Sequence, residues 1–550
     1  MLASARMTSR KHEGSAPTTR LANPATSRQG AQADTNTPSV DDLPLAASSR
    51  RDFLRYTAGA VGAGAGLALT ACGSSRASSR TVKTARALPR LPSRRGGIHK
   101  GGVQHLASLA ALRPPQIHID HRASGAVPGV VLTDAHSGPA QQGPLIFDSN
   151  GQLVWFKPLP KGLRAFNLRV QSYKGQPVLT WFQGAVVSAH GVGHYEIYDQ
   201  HYRQIAQVHG GNGYHGDLHE FMLTDQGTAM FTCYGKAIGH LPAGRGTRRG
   251  PYFYGVIQEV DVATGKVLFQ WRSDHHIGFG ASYMRVPTKP GNSWDYFHIN
   301  SICIDPADQN LIISSRNTWA VYKIDRKSGK VLWKLGGKDG NFKMGPHTHF
   351  AFQHHVTLHP GGILTIFDNE GGPPNQAGQS RGLVLSISEK HRRATVRNQY
   401  FHHPSVLSEA LGSVQELDQG HRFIGWGTSS YFTEYSAGGK VLFDGRLTPG
   451  VSSYRAFKDT WTATPAQAPD VAVDRNGRHA QLHVSWNGAT GVSQWGILGG
   501  SQANRLTQIG TASVAGFETQ ITVPNAPPVL SVEAIDSSGR VLGRSASVRA

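Results

Sequence analysis

The sequence predicts an all-β protein, in which a six-bladed β-propeller is followed by a small β-sandwich. The first observation is composition, because 65 glycines and only 17% charged residues among 550 suit short strands joined by turns. The second is a repeated pattern of hairpins over residues 116–463. The third is that no extended apolar pattern of period 3.6 competes with the strands. Together these observations favour a ring of small sheets.

The repeat contains two kinds of hairpin. One is polar, as in FDSNGQLVWF and IDRKSGKVLWKL, and its turn glycines are Gly151, Gly265, Gly329 and Gly439. Weaker copies fit near residues 202 and 390, so successive turns lie about 49 to 64 residues apart. A more apolar hairpin, such as ICIDPADQNLIISSR, lies between the polar ones. Two hairpins make a four-stranded blade and six units make a propeller, with the apolar hairpin on the inside at the central channel.

The composition and the residue pattern change in residues 464–550. Pro465 and Pro469 mark a linker, and alternating strands with two tryptophans follow. This pattern predicts a small β-sandwich of fibronectin or immunoglobulin type. No catalytic constellation stands out there, so we expect it to serve packing or contact with carbohydrates and surfaces.

The N-terminal residues are typical of addressing signals. Residues 1–72 contain Arg50 and Arg51 in the form of a twin-arginine export signal, then a modestly apolar segment too short for a stable membrane span. The segment ends in LTAC, which resembles a lipobox with Cys72 as the lipidated residue. Residues 73–115 are rich in Ser, Arg and Pro and predict a disordered linker. We therefore expect an exported protein, either a lipoprotein on the outer face of the cytoplasmic membrane or a secreted one.

Charge and cysteine content narrow the function classes. The net charge is +21, but +11 of it falls in residues 1–100 and no Lys/Arg stripe interleaves with aromatics, so a nucleic-acid partner is not expected. A mildly cationic site for an anionic substrate fits the remainder. After Cys72, only Cys233 and Cys303 remain, and one disulfide or two free thiols fit equally well.

The most informative stretch runs from Phe297 to His355. His298 lies about as far before the turn at 305–310 as Arg316 lies after it, so in a hairpin the two face each other across paired strands about 5 Å apart. An imidazole beside a guanidinium suits a tetrahedral or trigonal oxyanion group. His219 and His354 open other inner strands, and equivalent ends of several blades converge on one axis.

Histidines and acidic residues can also form metal sites. With 27 histidines, any single one is weak evidence, and pairs such as His402-His403 are scattered over loops rather than converging as metal sites require. Four acids near the same rim fit a cation site less well than turn caps or orienters of histidine; they are Asp217, Glu220, Asp368 and Glu370. Because the histidine pairs are scattered, we expect no metal. We also expect no cofactor, because the D-x-x-T-G-K-x-x-W pattern, which occurs in quinone-cofactor propellers as a packing motif, marks blades.

Residues of about 145–460 resemble the bacterial arylsulfotransferase family, a group of six-bladed propellers that do not use PAPS. The segments that carry the resemblance are DLHEFMLTDQGT, DYFHINSI, LIISSRNTWAVYKID, KLGG and FAFQHH. Membership implies transfer of a sulfuryl group from an aryl sulfate ester to a phenol by way of a sulfohistidine. It also implies His354 as the nucleophile, with Arg316 and His298 binding the sulfuryl oxygens and His219 completing the pocket.

Two questions stay open at the level of sequence. The adjacent imidazoles of His354 and His355 point to opposite faces of a strand, so only one enters the channel, and the motif match favours His354. The partners implied are an aryl sulfate donor, a phenolic acceptor, the twin-arginine export machinery and, through the lipid anchor, the membrane. The alternative is a non-catalytic envelope lipoprotein whose propeller and sandwich bind glycans or proteins.

Overall fold

The computed structural model describes residues 88–289, 291–372 and 376–550. The predicted export and lipidation residues Arg50, Arg51 and Cys72 lie outside these ranges. Within them, no helix is both long and apolar enough to cross a bilayer. The described chain is almost entirely strands and turns, and its short 3-10 helices are Ser273–His275, Phe279–Ala281, Asp418–Gly420 and Gly427–Ser429.

The first three sheets follow one another along the chain, and all their main pairings are antiparallel. Sheet 1 comprises, from inside outward, Phe457–Asp459, Val130–Ala135, Gly143–Phe147 and Leu153–Phe156. Sheet 2 comprises Arg164–Tyr173, Gln176–Val187, His190–Tyr198 and Gln204–Val208. Sheet 3 comprises Phe221–Leu223, Thr228–Ala243, Gly246–Asp261 and Val267–Arg272, with Trp294–Asp295 parallel to Gly246–Asp261.

The next three sheets repeat the same order. Sheet 4 comprises Ile299–Ile304, Leu311–Ser315, Ala320–Ile324 and Val331–Gly336. Sheet 5 comprises His354–His359, Ile363–Asp368, Arg381–Ser388 and Arg393–Tyr400, with Lys343–Met344 parallel to its outer strand. Sheet 6 comprises Ser413–Glu416, Arg422–Gly425, Tyr431–Tyr435 and Val441–Leu447, with Ile117–Arg122 as a fifth strand on its outer edge.

The sheets form a closed, propeller-like ring. Inner strands of each sheet contact inner strands of the next, from sheet 1 through sheet 6 and back to sheet 1. Two long-range pairings join the beginning and the end of the ring: Phe457–Asp459 completes sheet 1, and Ile117–Arg122 completes sheet 6. As the sequence predicts, the apolar hairpins are inner and the polar hairpins are outer.

The repeated polar turn has a local physical cause. In sheet 3 the Asp261 carboxylate accepts hydrogen bonds from the backbone N–H and the hydroxyl of Thr264, 2.8 and 2.6 Å away. Gly265 follows with φ of +72°, a left-handed conformation that glycine adopts without a steric penalty. The same turn recurs at Gly329 in sheet 4, also with φ of +72°. The motif therefore fixes hairpin turns.

Two further sheets are built mainly from residues after the ring, and one strand from before the ring joins the first of them. One comprises Ser93–Arg95, Glu518–Val523, His479–Ser485 and Asp470–Asn476. The other comprises Thr507–Ser513, Gln494–Gly500, Val529–Ile535, Val541–Arg544 and Val548–Arg549. An apolar cluster that includes Trp486 and Trp495 fills this part of the chain.

The prediction of a disordered linker over residues 73–115 is wrong for part of its length. Ser93–Arg95 pairs with Glu518–Val523, and Ile98–Lys100 forms a hairpin with Val103–His105. Main-chain hydrogen bonds make these pairings, and they do not require apolar side chains. A composition of Ser, Arg and Pro therefore did not reveal them.

The two cysteines after Cys72 are free thiols. Cys233 is buried and Cys303 is partly buried. Of the two readings that fitted the sequence, the structure therefore has two thiols rather than a disulfide.

A buried arginine joins several sheets at the centre of the ring. Arg455 has no exposed side-chain area, and its guanidinium lies 3.0 Å from the Glu220 carboxylate. It also donates to the side-chain oxygen of Asn167 at 3.2 Å and to the carbonyl of Asn300 at 3.0 Å. The hydroxyl of Thr133 donates to the Arg455 carbonyl at 2.9 Å. Arg455 thus links residues of sheets 1, 2 and 4 with the segment that leads into sheet 3.

Replacing this arginine should destabilise the ring. Arg455→Met leaves Glu220 buried with one cation fewer, and we expect the free energy of unfolding to fall by about 3–5 kcal/mol. Arg446→Met is the matched control, because Arg446 pairs with Asp120 where both side chains are at least 33% exposed. Its expected cost is below about 1 kcal/mol. Urea unfolding of both full-length variants measures the difference, and equal costs would contradict the central role of Arg455.

Candidate functional site

His298 and Arg316 face each other as the spacing around the turn predicts. Ile299 pairs with Ser315 in the inner hairpin of sheet 4, and one residue further out the Arg316 N–H donates to the His298 carbonyl at 2.9 Å. His298 has φ of +55°, so the strand ends there and the backbone turns. A non-glycine residue in this region is uncommon and is often found at functional sites.

Three predicted histidines meet at the centre of the ring. The ring centroids of His219 and His298 lie 4.8 Å apart and nearly perpendicular, and those of His219 and His354 lie 6.5 Å apart. All three residues are at most 4% exposed. They come from the inner edges of sheets 3, 4 and 5, so the ring brings together residues that are 135 positions apart in sequence. We call His219, His298 and His354 the histidine cluster.

Two of these imidazoles are held by carboxylates. Nδ1 of His219 lies 2.7 Å from Asp217, whose carboxylate also accepts from the backbone N–H of Gly191 and the hydroxyl of Thr232. Nδ1 of His298 makes a short hydrogen bond to Asp295. Each carboxylate therefore holds a proton on Nδ1, and Nε2 is the ring nitrogen that the carboxylate does not engage. The reading of Asp217 as an orienter of histidine is confirmed.

His354 is held differently, by an amide and a backbone carbonyl. Its Nδ1 lies 2.8 Å from Asn369 Oδ1 and 3.0 Å from the Phe352 carbonyl oxygen. Burial lowers the pKa of His354 well below its usual value, and the positive charge of Arg316 lowers it further. The His354 imidazole is consequently neutral at neutral pH.

A fourth histidine, His190, was missed at the level of sequence. Its Nε2 lies 3.1 Å from the Asp295 oxygen that also binds His298, and its ring packs 4.0 Å from Tyr234. Burial opposes its charged form, yet Asp295 raises the pKa of His190 above the usual value. Burial lowers the pKa of His298 to about 4, against the pull of Asp295. Asp295 thus favours the charged form of His190, whereas burial favours the neutral form of His298.

His190, Asp295 and His298 also have the donor set of a possible metal site. One potential ligand atom from each lies within 4.8 Å of the others, and the donor set is two imidazoles and one carboxylate. Nδ1 of His298 and Nε2 of His190 both engage the same Asp295 oxygen directly. The other Asp295 oxygen and Nδ1 of His190 are buried and have no hydrogen-bond partner among the described residues.

Arg316 brings a positive charge with free donor capacity to the histidine cluster. Its guanidinium stacks 5.2 Å from the Phe352 ring and donates to Asn317 Oδ1 at 3.0 Å. Its Nε is buried and has no hydrogen-bond partner among the described residues. Burial lowers the pKa of Arg316, and Asp295 raises it in part. A guanidinium in this setting is suited to the oxygens of an anion.

The adjacent His355 lies outside the histidine cluster. It is 7% exposed, its Nδ1 accepts from the Val414 N–H at 3.2 Å, and its ring packs 5.5 Å from Phe457. His355 is therefore buried between sheets 6 and 1. The two imidazoles of FQHH have separate environments.

The other acidic residues singled out in the sequence are engaged with arginines. Glu220 binds Arg455 and Arg169, and Asp368 binds Arg381 at 2.8 Å. Glu370 lies 3.7 Å from the same Arg381. The structure therefore does not gather these acids around one cation.

Comparisons with known proteins address the family. The family described as arylsulfotransferase (ASST) matches residues 169–447. Among curated proteins, none matches this chain. Similar solved structures include a protein of unknown function from Bacteroides caccae, with 11% identity, a TM-score of 0.38, and coverage of 60% of this chain and 99% of that one.

Two further solved structures are similar at the same level. The periplasmic gluconolactonase of Pseudomonas aeruginosa has 13% identity, a TM-score of 0.31, and coverage of 76% of this chain and 96% of its own. The Cps50 (Swd1) β-propeller domain of Myceliophteria thermophila has 9% identity, a TM-score of 0.28, and coverage of 65% and 98%. These values are too low to say anything about activity.

The family match spans the inner hairpins of sheets 3, 4 and 5, and it therefore contains the whole histidine cluster together with Arg316. It covers just over half of the sequence. The chain belongs to the arylsulfotransferase (ASST) family.

Proposed function

We propose that this protein is a PAPS-independent aryl sulfotransferase that moves a sulfuryl group from an aryl sulfate ester to a phenol through a sulfohistidine at His354. The observation that carries the proposal is the setting of His354, a buried neutral imidazole with its Nδ1 engaged and an arginine beside it. A neutral imidazole is a competent nucleophile. Family membership supports the class of reaction.

The first half-reaction needs one nucleophile and a binding site for anionic oxygens. The Nε2 lone pair of His354 forms a bond to sulfur, the bond from sulfur to the aryl oxygen breaks, and the electron pair leaves with that oxygen. Arg316 and His298 bind the sulfuryl oxygens, and His219 completes the pocket. Sulfuryl transfer resembles phosphoryl transfer, in which the protein mainly positions the groups and stabilises charge.

The second half-reaction reverses the first with a different phenol. The acceptor oxygen forms a bond to sulfur, the N–S bond breaks, the electron pair returns to Nε2, and the phenolic proton is released. No nucleotide donor takes part. Splitting the exchange into two steps also means that donor and acceptor need not bind together, so one pocket serves both.

The remaining architecture fits an exported enzyme. We propose that sheets 1 to 6 are the blades of a six-bladed propeller over residues 116–463 and that residues 464–550 are a fibronectin- or immunoglobulin-like sandwich. Arg50, Arg51 and Cys72 support export by the twin-arginine route and anchoring through a lipid. An enzyme that uses aryl sulfates rather than a nucleotide donor suits the outer face of the membrane.

His354→Asn should abolish transfer. The asparagine keeps a polar group but cannot form the covalent intermediate, so we expect transfer from 4-methylumbelliferyl sulfate to an added phenol to fall at least about a thousandfold. His355→Asn is the matched control and should stay within about tenfold, because His355 lies outside the histidine cluster.

Mass spectrometry of acid-free, rapidly denatured enzyme should find one added sulfuryl group on His354 after incubation with donor alone. A different pair of results would support the non-catalytic lipoprotein instead. In that case the wild-type protein neither transfers nor releases sulfate, and its binding to glycans survives the His354→Asn substitution.

Asp295→Asn tests whether the carboxylate acts through histidine or through a metal. It removes the carboxylate charge, which orients His298 and favours the charged form of His190, so we expect kcat/KM to fall at least about tenfold. Asp474→Asn is the control, because Asp474 also binds a histidine, His483, but in the C-terminal sheets. Elemental analysis and assay after chelation accompany both variants. Stoichiometric metal whose removal stops turnover would contradict the mechanism.

A further inference from the structure

His354 differs from the other two members of the histidine cluster in the chemistry of the group that holds it. The Nδ1 atoms of His219 and His298 face carboxylates, Asp217 and Asp295. The Nδ1 atom of His354 faces the side-chain amide of Asn369. A carboxylate can accept a proton from imidazole, whereas an amide oxygen only accepts a hydrogen bond.

The orientation of the Asn369 amide is fixed by its other contacts. Its Nδ2 donates to the carbonyl oxygens of Ser408 at 2.9 Å and Leu411 at 3.1 Å. Flipping the amide would place Oδ1 against these two acceptors, so Oδ1 must face His354. Asn369 itself is fully buried.

Both ring nitrogens of His354 have partners that agree on one tautomer. Nδ1 faces two acceptors, Asn369 Oδ1 and the Phe352 carbonyl, so it carries the proton. Nε2 accepts from the Leu411 backbone N–H at 3.3 Å, so it carries the lone pair. This last hydrogen bond is long, and a substrate sulfur can replace it.

We propose that Asn369 is a positioning residue that keeps the Nδ1 proton on His354 throughout the reaction, so that the covalent intermediate is a sulfo-imidazolium, with a positively charged ring and a negatively charged sulfuryl group. When Nε2 forms its bond to sulfur, Nδ1 retains its proton and the ring gains a positive charge. The amide oxygen of Asn369 is too weakly basic to remove it. When the N–S bond breaks, the protonated ring leaves as neutral imidazole, which is a better leaving group than the imidazolate anion that an unprotonated ring would become, so the second half-reaction is fast. The inference rests on the proposed function.

Charged and titratable groups surround His354 on several elements. The groups that face it from sheets 3 and 4 are His219, His298 and Arg316. The acids next to Asn369 in sequence, Asp368 and Glu370, bind Arg381. The carboxylates nearest to the histidine cluster, Asp217 and Asp295, already hold other imidazoles. Among the described residues, none of these carboxylates forms a hydrogen bond or an ion pair with His354.

Two variants separate this role from simple structural support. Asn369→Asp offers a base to the Nδ1 proton and should shift the acidic limb of the kcat/KM profile to higher pH by about 1–3 pH units. It should also lengthen the lifetime of the sulfuryl-enzyme, because the imidazole ring of the intermediate can lose its Nδ1 proton and become neutral. Asn369→Leu removes the acceptor, and should lower kcat/KM about 10–100-fold without accumulation of sulfuryl-enzyme. The new carboxyl faces two carbonyl oxygens, so profiles run from about pH 5 to about pH 10 to include its ionised form.

Asn398→Asp is the matched control. Asn398 lies on the outer strand of the same sheet and its amide also donates to a backbone carbonyl, that of Ala437. Its pH profile should equal that of the wild type. Sulfuryl-enzyme lifetimes that change in the same direction in Asn369→Asp and Asn369→Leu, or an unshifted acidic limb in Asn369→Asp, would overturn the proposal.

A second readout does not depend on turnover. Long-range proton–nitrogen NMR of histidine-labelled protein reports the tautomer of His354, assigned by comparison with His354→Asn. We expect a protonated Nδ1 and an unprotonated Nε2 in the wild type. The opposite tautomer would overturn the role of Asn369 even in an active enzyme. Loss of sulfuryl transfer with the expected tautomer would instead contradict the proposed function alone.

Discussion

The buried ion pair of Glu220 and Arg455 is the constraint on which the centre of the ring depends. Two charges without water are stable only where their geometry is fixed, because the cost of desolvation exceeds what a loose pair returns. Glu220 directly follows His219, and the hydroxyl of Tyr454, next to Arg455, donates to the His219 carbonyl at 2.9 Å. The segments that carry this central ion pair therefore also fix the backbone of one site histidine.

Local patterns in the sequence were sufficient for the inner and outer hairpins and for the pairing of His298 with Arg316. The same rule could have found Asn369, which follows the second inner strand of sheet 5 just as Arg316 follows that of sheet 4. It was overlooked because an isolated asparagine has no chemical signature in a sequence. His190 has no such signal, since its partner Asp295 is 105 residues away and only the contact of sheets 2 and 3 brings them together.

Other features depend on backbone geometry that alternation of residue types does not encode. His298, Phe352 and His355 all have positive φ, so the strand rule of opposite faces does not apply simply at these ends. The strand at Ser93–Arg95 is a related case, because its main-chain pairing leaves no apolar pattern. Sequence reasoning was thus reliable for repeated turns and weak where single residues leave the regular strand conformation.

The charges of the site are arranged so that an anionic substrate meets compensation without a strongly basic pocket. Asp295 offsets part of the positive charge of Arg316, and Asp295 and Asp217 favour the charged form of His190, while burial favours the neutral forms of His298 and His354. A charged His354 could not attack sulfur, and an unpaired Arg316 would be costly to bury. Asp217 and Asp295 hold the supporting histidines, whereas an amide holds the proposed nucleophile. This arrangement satisfies both requirements. It follows that the identity of the Nδ1 partner, rather than the histidine itself, distinguishes the proposed nucleophile, His354, from its neighbours.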